Sequence, residues 1–140
     1  MHYFAYGANL SRAHMQLWCP SSRPLVAATL PNYRLAFRYR ADIVASEGDR
    51  VPGGLYEISA ADLDSLDEGE EFPDLYDRIR VTAETERGPA EAFAYQMRPG
   101  HAFALPAPEY LSLIEQGYED WGLDPALLPI RTPAGDLAEQ

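Results

Sequence analysis

The chain has 140 residues, 46% hydrophobic and 24% charged, with a formal net charge of −11. Length and composition suit a soluble globular protein whose residues 1–140 form one domain with a sizeable buried core. The acidic balance argues against a nucleic-acid partner and against an anionic membrane surface, since both need clustered basic residues. A small zwitterionic substrate stays compatible with it, because a local site can differ in sign from the whole. Cys19 is the only cysteine, so no intramolecular disulfide can form, and a reducing, cytoplasmic setting is expected. No apolar run reaches membrane-spanning length, and the N-terminus has neither the basic segment nor the long apolar stretch of a signal peptide.

Tyr3, Phe4 and Tyr6 favour a short, half-buried strand. It stops at Gly7, which permits a tight turn and a close ligand approach to the backbone. Asn9 and Ser11 can each cap the helix that follows. A strand, a small-residue turn and a helix start aim free N–H groups at an anion. The plainer reading is a strand and a turn in a packed domain. Ser11 to Trp18 reads as a short helix with Met15 and Trp18 on its inner face, ended by Pro20. Cys19 at that end reads as a buried structural thiol. Leu25–Leu30 and Tyr33–Tyr39 are predicted strands separated by Pro31-Asn32.

In the second of these strands Tyr33, Leu35, Phe37 and Tyr39 alternate with Arg34, Ala36, Arg38 and Arg40. A solvated arginine face is the commoner outcome of such a pattern; lining a site for an acidic substrate is the alternative. Residues 42–52 are polar and read as a loop. Gly53 to Ile58 is a strand whose glycines signal a bulge or close packing. Ser59 is a plausible N-cap with Asp62 as its acidic partner. The helix runs through Leu63 and Leu66 and ends near Gly69, leaving Glu70 just beyond it. Tyr76–Glu84 and Ala90–Met97 form a hairpin around the turn residues 85–89. Glu109–Trp121 is the strongest helix, with a stripe of Tyr110, Leu113, Ile114 and Trp121 and Gly122 at its end. Residues 131–140 are expected to fray. Together these elements predict an α+β fold with a small curved or closed sheet and helices at its rim.

His2, His14 and His101 lack metal-ligand spacing, so no metal is assigned. No glycine-rich phosphate loop and no Gly-x-Ser-x-Gly elbow is present. Carboxylates remain: Asp62, Asp64, Asp67, Glu68, Glu70, Glu71 and Asp74 crowd one segment. Most read as a solvated acidic face. Glu70 differs, because it lies between Gly69 and Phe72-Pro73 and can turn inward against apolar neighbours. Burial and nearby carboxylates would raise its pKa and suit it to proton transfer near neutral pH. On the residues alone, the solvated face remains the commoner outcome for Glu70 as well.

Two stretches, Tyr6-Gly7-Ala8-Asn9 and Leu66-Asp67-Glu68-Gly69-Glu70 followed by Tyr76, resemble the gamma-glutamylcyclotransferase superfamily, the AIG2-like proteins. Their order, their separation and the chain length match, so the resemblance spans nearly the whole chain. Ala8 stands where the family usually has Ser. The resemblance implies a small mixed β-barrel flanked by short helices, with a site in a cavity at its mouth. It implies an enzyme that needs no cofactor and takes a small gamma-glutamyl substrate, whose own α-amine attacks its side-chain carbonyl to close 5-oxoproline. Glu70 would be the catalytic acid/base. Tyr3, Phe4, Ala5, Tyr6, Gly7, Ala8 and Asn9 would form the glutamyl site, with the backbone amides around Tyr6, Gly7, Ala8 and Asn9 holding the α-carboxylate or the developing oxyanion. Tyr76 and Tyr95 are candidates to line the pocket through their hydroxyls, although each also reads as a core aromatic, Tyr95 equally well. Two alternatives share the scaffold: a cyclotransferase for gamma-glutamylamines or for one pathway intermediate, and a non-catalytic small-molecule-binding module. The sequence leaves the leaving group and the oligomeric state open.

Overall fold

The computed structural model describes residues 1–130; the tail expected to fray, 131–140, lies outside them. The elements run β1 (His2–Ala5), a 3₁₀ turn (Ala8–Leu10), α1 (Arg12–Trp18), β2 (Arg23–Arg38), β3 (Arg40–Glu57), α2 (Ala60–Gly69), β4 (Tyr76–Thr85), β5 (Gly88–Met97), α3 (Pro108–Asp120) and a second 3₁₀ turn (Pro125–Leu127). The strands close into a barrel in the order β1-β3-β2-β4-β5. Every pairing is antiparallel except β1 with β5, which are parallel where Tyr3 meets Phe93. This is the small mixed β-barrel with flanking helices that the resemblance implied. Among the described residues, no helix is long and apolar enough to cross a membrane.

The largest departure from the sequence reading is the β2–β3 hairpin. The two strands predicted on either side of Pro31-Asn32 are one strand, and residues 42–52 are part of β3 rather than a loop. Pairing runs from Arg38↔Arg40 down to Arg23↔Glu57, with register shifts at Pro24/Val26 and at Pro31/Tyr33. At the second shift Ser46 to Asp49 stand opposite Asn32. Asn32 (φ 65°) and Gly48 (φ 86°) take left-handed backbones there, and the Gly48 amide donates to Asn32 Oδ1 at 3.1 Å. A bulge absorbs residues that cannot pair and lets the ladder resume beyond it. The polar side chains of this stretch are largely exposed, so their composition looks like a loop while their backbone stays in a sheet.

Close approach governs the other side of the barrel. Gly54 pairs with Ala5 of β1. A Cβ on Gly53 would lie 2.4 Å from the Ala5 carbonyl oxygen, and one on Gly54 would lie 2.5 Å from the Trp121 ring. No side chain fits either space, which is the close packing that the glycine pair predicted.

The helices are anchored by their ends. Ser11 caps α1, accepting from the His14 amide at 3.3 Å. Met15 is fully buried in α1, but Trp18 is 53% exposed and not an inward partner. The buried face continues from Met15 to Cys19 one turn on, and Trp18 falls about 60° off Met15 around the axis. Ser59 and Asp62 form a reciprocal capping box at the start of α2, with bonds of 3.1 and 3.0 Å. The other end of α2 closes with Phe72 N–H to the Asp67 carbonyl (2.9 Å) and Glu71 N–H to the Glu68 carbonyl (3.1 Å). That is a Schellman closure, and the residue in the left-handed conformation is Glu71 (φ 52°) rather than Gly69. Glu70 is thereby the C-cap. In α3 the apolar stripe divides: Leu111, Ile114 and Tyr118 are buried in the core, whereas Tyr110 and Leu113 are only partly covered and face a cavity.

Candidate active site

β1 and β5 run parallel and β4 returns antiparallel to β5. The end of β1, the start of β4 and the start of β3 therefore gather at one end of the barrel. There the 3₁₀ turn, the C-terminal end of α2 and the first turn of α3 enclose a cavity of about 340 Å³. Its wall includes Tyr3, Tyr6, Gly7, Ala8 and Asn9 from the bend, Gly69 and Glu70 from the end of α2, Tyr76 and Tyr95 from the hairpin, and Arg40, Ala41 and Tyr110.

Among the residues singled out in the sequence, Glu70, Tyr3, Tyr6, Gly7, Ala8, Asn9, Tyr76 and Tyr95 border this space, and Phe4 and Ala5 do not. Both are fully buried. Phe4 lies over Gly53, and Ala5 is paired in the ladder with Gly54. A strand sends neighbouring side chains to opposite faces, so a continuous run of site residues along β1 is not available.

The bend is held from several sides. Asn9 Nδ2 donates to the Tyr3 hydroxyl at 3.0 Å, and the Tyr56 hydroxyl donates to the Asn9 carbonyl at 2.8 Å. Trp121 Nε1 donates to the Leu10 carbonyl at 2.8 Å. A Cβ on Gly117 would sit 2.2 Å from that of Leu10, so α3 presses directly on the turn. Across the cavity the Ala41 backbone is clamped at both groups: Tyr76 Oη donates to its carbonyl (2.6 Å) and its N–H donates to Tyr110 Oη (2.9 Å). Tyr6 Oη donates to the Tyr95 carbonyl at 2.5 Å, and Tyr95 Oη donates to Asp67 Oδ1 at 2.6 Å. Tyr6, Tyr76 and Tyr95 thus direct their hydroxyl protons to protein acceptors. The bonds to Tyr3 and Tyr110 use only the oxygen, so these two phenols keep O–H groups for a ligand.

Glu70 carries the unusual charge state. Burial drives its carboxyl pKa from 4.5 to about 7, Arg40 pulls it back down, and the Glu71 carboxylate pushes it up. The nearby carboxylate anticipated from the sequence is therefore Glu71, and an arginine opposes it. Burial also pushes the phenols up: Tyr110 to about 12, with Glu70 adding to the rise, and Tyr3, Tyr6, Tyr76 and Tyr95 upward in the same direction. The phenols are neutral hydrogen-bonding groups near neutral pH, and Glu70 is the group on this wall poised to exchange a proton there.

Several cavity residues lay outside the sequence-based site, Arg40 and Tyr110 among them. Arg40 belonged to the arginine alternation, and Tyr110 to the stripe of α3. Arg34 is exposed; Arg38 is tied to Asp42 (3.1 Å) and to the His101 carbonyl (2.5 Å). Arg40 instead lines the cavity and is only partly exposed. It follows the Tyr39 bend (φ 68°), which reverses the chain and brings Arg40 onto the cavity wall. Only the hairpin register carries that information. His14 is half-buried beside Trp18 at the cavity edge, and burial lowers its pKa. Cys19 is fully buried, and burial pushes its thiol up to about 12, as befits an inert structural thiol.

A family model described as gamma-glutamyl cyclotransferase, AIG2-like, matches residues 3–122. The human protein named gamma-glutamylcyclotransferase is 30% identical over 134 residues, covering 86% of this chain and 71% of the relative. A Bos taurus gamma-glutamylaminecyclotransferase is 48% identical over 50 residues, 34% of this chain and 30% of the relative. A solved structure named gamma-glutamyl cyclotransferase superposes with a TM-score of 0.85 at 28% identity, covering 96% of this chain and 89% of that one.

Proposed function

The chain belongs to the gamma-glutamyl cyclotransferase, AIG2-like family, and from that premise we propose that it cyclises a gamma-glutamyl amide to 5-oxoproline, releasing an amine or amino acid. The observation that carries this reading is that Glu70 and the Tyr6–Asn9 bend border one cavity, of a size suited to a small molecule. In this reading Glu70 is the acid/base and the bend receives the glutamyl group.

The α-ammonium of the substrate first gives a proton to ionised Glu70, which frees the nitrogen lone pair. That nitrogen attacks the γ-carbonyl carbon, closing the five-membered ring and sending electron density onto the oxygen. Hydrogen-bond donors at the bend stabilise this developing oxyanion. The ring nitrogen sheds its second proton to water, the scissile C–N bond breaks, and Glu70 returns its proton to the departing nitrogen. The free amine takes its last proton from water. Nucleophile and electrophile are tethered in one molecule, so holding the chain folded replaces a bimolecular encounter. Ala8 in place of Ser removes one hydroxyl contact but leaves the backbone donors unaltered. A cytoplasmic setting belongs to the same proposal and rests on the lone, buried thiol of Cys19.

The test is to incubate the protein with gamma-glutamyl dipeptides and gamma-glutamylamines and to assay 5-oxoproline. Glu70→Gln should lower kcat by about 10²- to 10⁴-fold with circular dichroism unchanged. An unaltered rate would remove Glu70 from the mechanism, and binding without turnover by the wild-type chain would favour the non-catalytic module. The local match to a gamma-glutamylaminecyclotransferase makes an amine leaving group the second reading.

A further inference from the structure

We propose that Arg40 binds the carboxylate of an amino-acid leaving group, so that the cavity selects gamma-glutamyl amino acids over gamma-glutamylamines. This rests on the cyclotransferase reading and names the charge on the half of the substrate that departs.

Arg40 spans the inside and the outside of the site. Its Nη2 donates to the Gly69 carbonyl at 3.3 Å and lies 3.6 Å from the carboxylate of Glu71, which is 63% exposed. Its Nη1 is buried and has no hydrogen-bond partner among the described residues. A guanidinium N–H withdrawn from water without an acceptor is destabilising, and a substrate carboxylate would satisfy it with a charge-assisted bond. Arg40 is also the only arginine on the cavity wall among the described residues, and the chain has no lysine. The charged neighbours on that side, Glu70 and Glu71, are acidic, so without Arg40 this end of the cavity would repel an anion.

Position decides which carboxylate is read. Tyr3, Tyr6, Tyr76 and Tyr95 are buried and form the deep wall of the cavity. Trp18 and Gly69 are exposed and mark its mouth, and Arg40, its side chain 35% exposed and bonded to the Gly69 carbonyl, lies beside that open edge. The glutamyl unit has to reach Glu70 and the bend, and the leaving group has to depart through the mouth. The group beside Arg40 is then the one that leaves. A neutral amine offers that guanidinium no acceptor.

The experiment measures kcat and KM of the full chain, Arg40→Met and Arg40→Lys by 5-oxoproline release. The substrates are gamma-glutamylalanine, gamma-glutamylethylamide, which lacks the distal carboxylate, and gamma-glutamylalanine with its glutamyl α-carboxylate converted to an amide. Each variant is assayed across a pH series and compared on its own alkaline plateau, because removing Arg40 takes away a charge that lowers the Glu70 pKa. The wild-type chain should prefer gamma-glutamylalanine. Arg40→Met should raise KM for both alanine-releasing substrates about 10- to 100-fold more than for gamma-glutamylethylamide, which shares any change at Glu70, with little further change in kcat. Arg40→Lys should recover part of the loss. Turnover of the ethylamide reports folding of each variant. Equal losses on all three substrates, no loss on any, or a loss confined to the two with a free glutamyl α-carboxylate would each overturn the role given to Arg40 while leaving the cyclotransferase reading intact. Failure of the wild-type chain to turn over any of the three would instead remove that reading, and this proposal with it.

Discussion

A carboxyl group moved from 4.5 to about 7 by burial makes the stability of this protein depend on pH in a direction opposite to the usual one. Below about pH 4.5 Glu70 is protonated in both the folded and unfolded states and carries no penalty. As pH rises the unfolded chain ionises first, so folding loses free energy until the folded-state group also ionises near 7. Above that the penalty is constant, and the shift converts to about 3 kcal/mol. Some access to water through the cavity makes this an upper value. Glu70→Gln removes the titration while keeping the shape. The variant and the wild type should therefore match in urea unfolding near pH 4, and at about pH 8 the variant should be more stable by about 2–3 kcal/mol. The comparison is made across a pH series, so that carboxylates titrating in both proteins cancel. A difference that stays flat with pH, or a wild type more stable than the variant at the alkaline end, would refute the raised carboxyl pKa of half-buried Glu70 and its candidacy as a base.

If ionised Glu70 is the base, kcat/KM for 5-oxoproline release should climb with pH through about 7. Glu71→Gln should move that limb to lower pH, because Glu71 pushes the Glu70 pKa up. Gly117→Ala would gain about 1 kcal/mol of helix propensity, but its Cβ would meet Leu10 at 2.2 Å. Overpacking at such a contact costs about 1–3 kcal/mol or more; the melting temperature should fall, and activity with it as the bend is displaced. Cys19, buried with its thiol pushed up to about 12, should resist iodoacetamide at about pH 8 in the native protein and react once urea unfolds it; rapid native-state labelling would contradict its burial.

Signals that depend on a few neighbouring residues were legible in the chain itself. Ser11 and Ser59 cap α1 and α2, Gly122 takes the left-handed position after α3, and Gly53-Gly54 admits close packing. Each is local chemistry acting on its own backbone, so spacing along the sequence suffices. The pairing of an N-terminal Tyr-Gly-x-Asn bend with an acidic segment before Tyr76 pointed to the family because both motifs lie whole in short stretches. Local composition misled where the backbone was stabilised by a distant partner. Residues 42–52 look like a loop until β2 supplies their ladder bonds, and Gly69 looks like the helix terminator until Glu71 adopts the left-handed turn.

What tertiary structure alone decided is the content of the cavity. Arg40 reaches it because the chain reverses at Tyr39, Tyr110 because the stripe of α3 is shared between core and cavity, and Phe4 is excluded because its side chain leaves β1 on the face opposite Tyr3 and lies over Gly53. The charge state of Glu70 belongs in the same class: its residue type allows a pKa near 4.5, and only enclosure by segments far apart in the chain lifts it to about 7. Desolvation and the facing charges of Arg40 and Glu71 are properties of a volume, and a sequence specifies that volume only after it has folded.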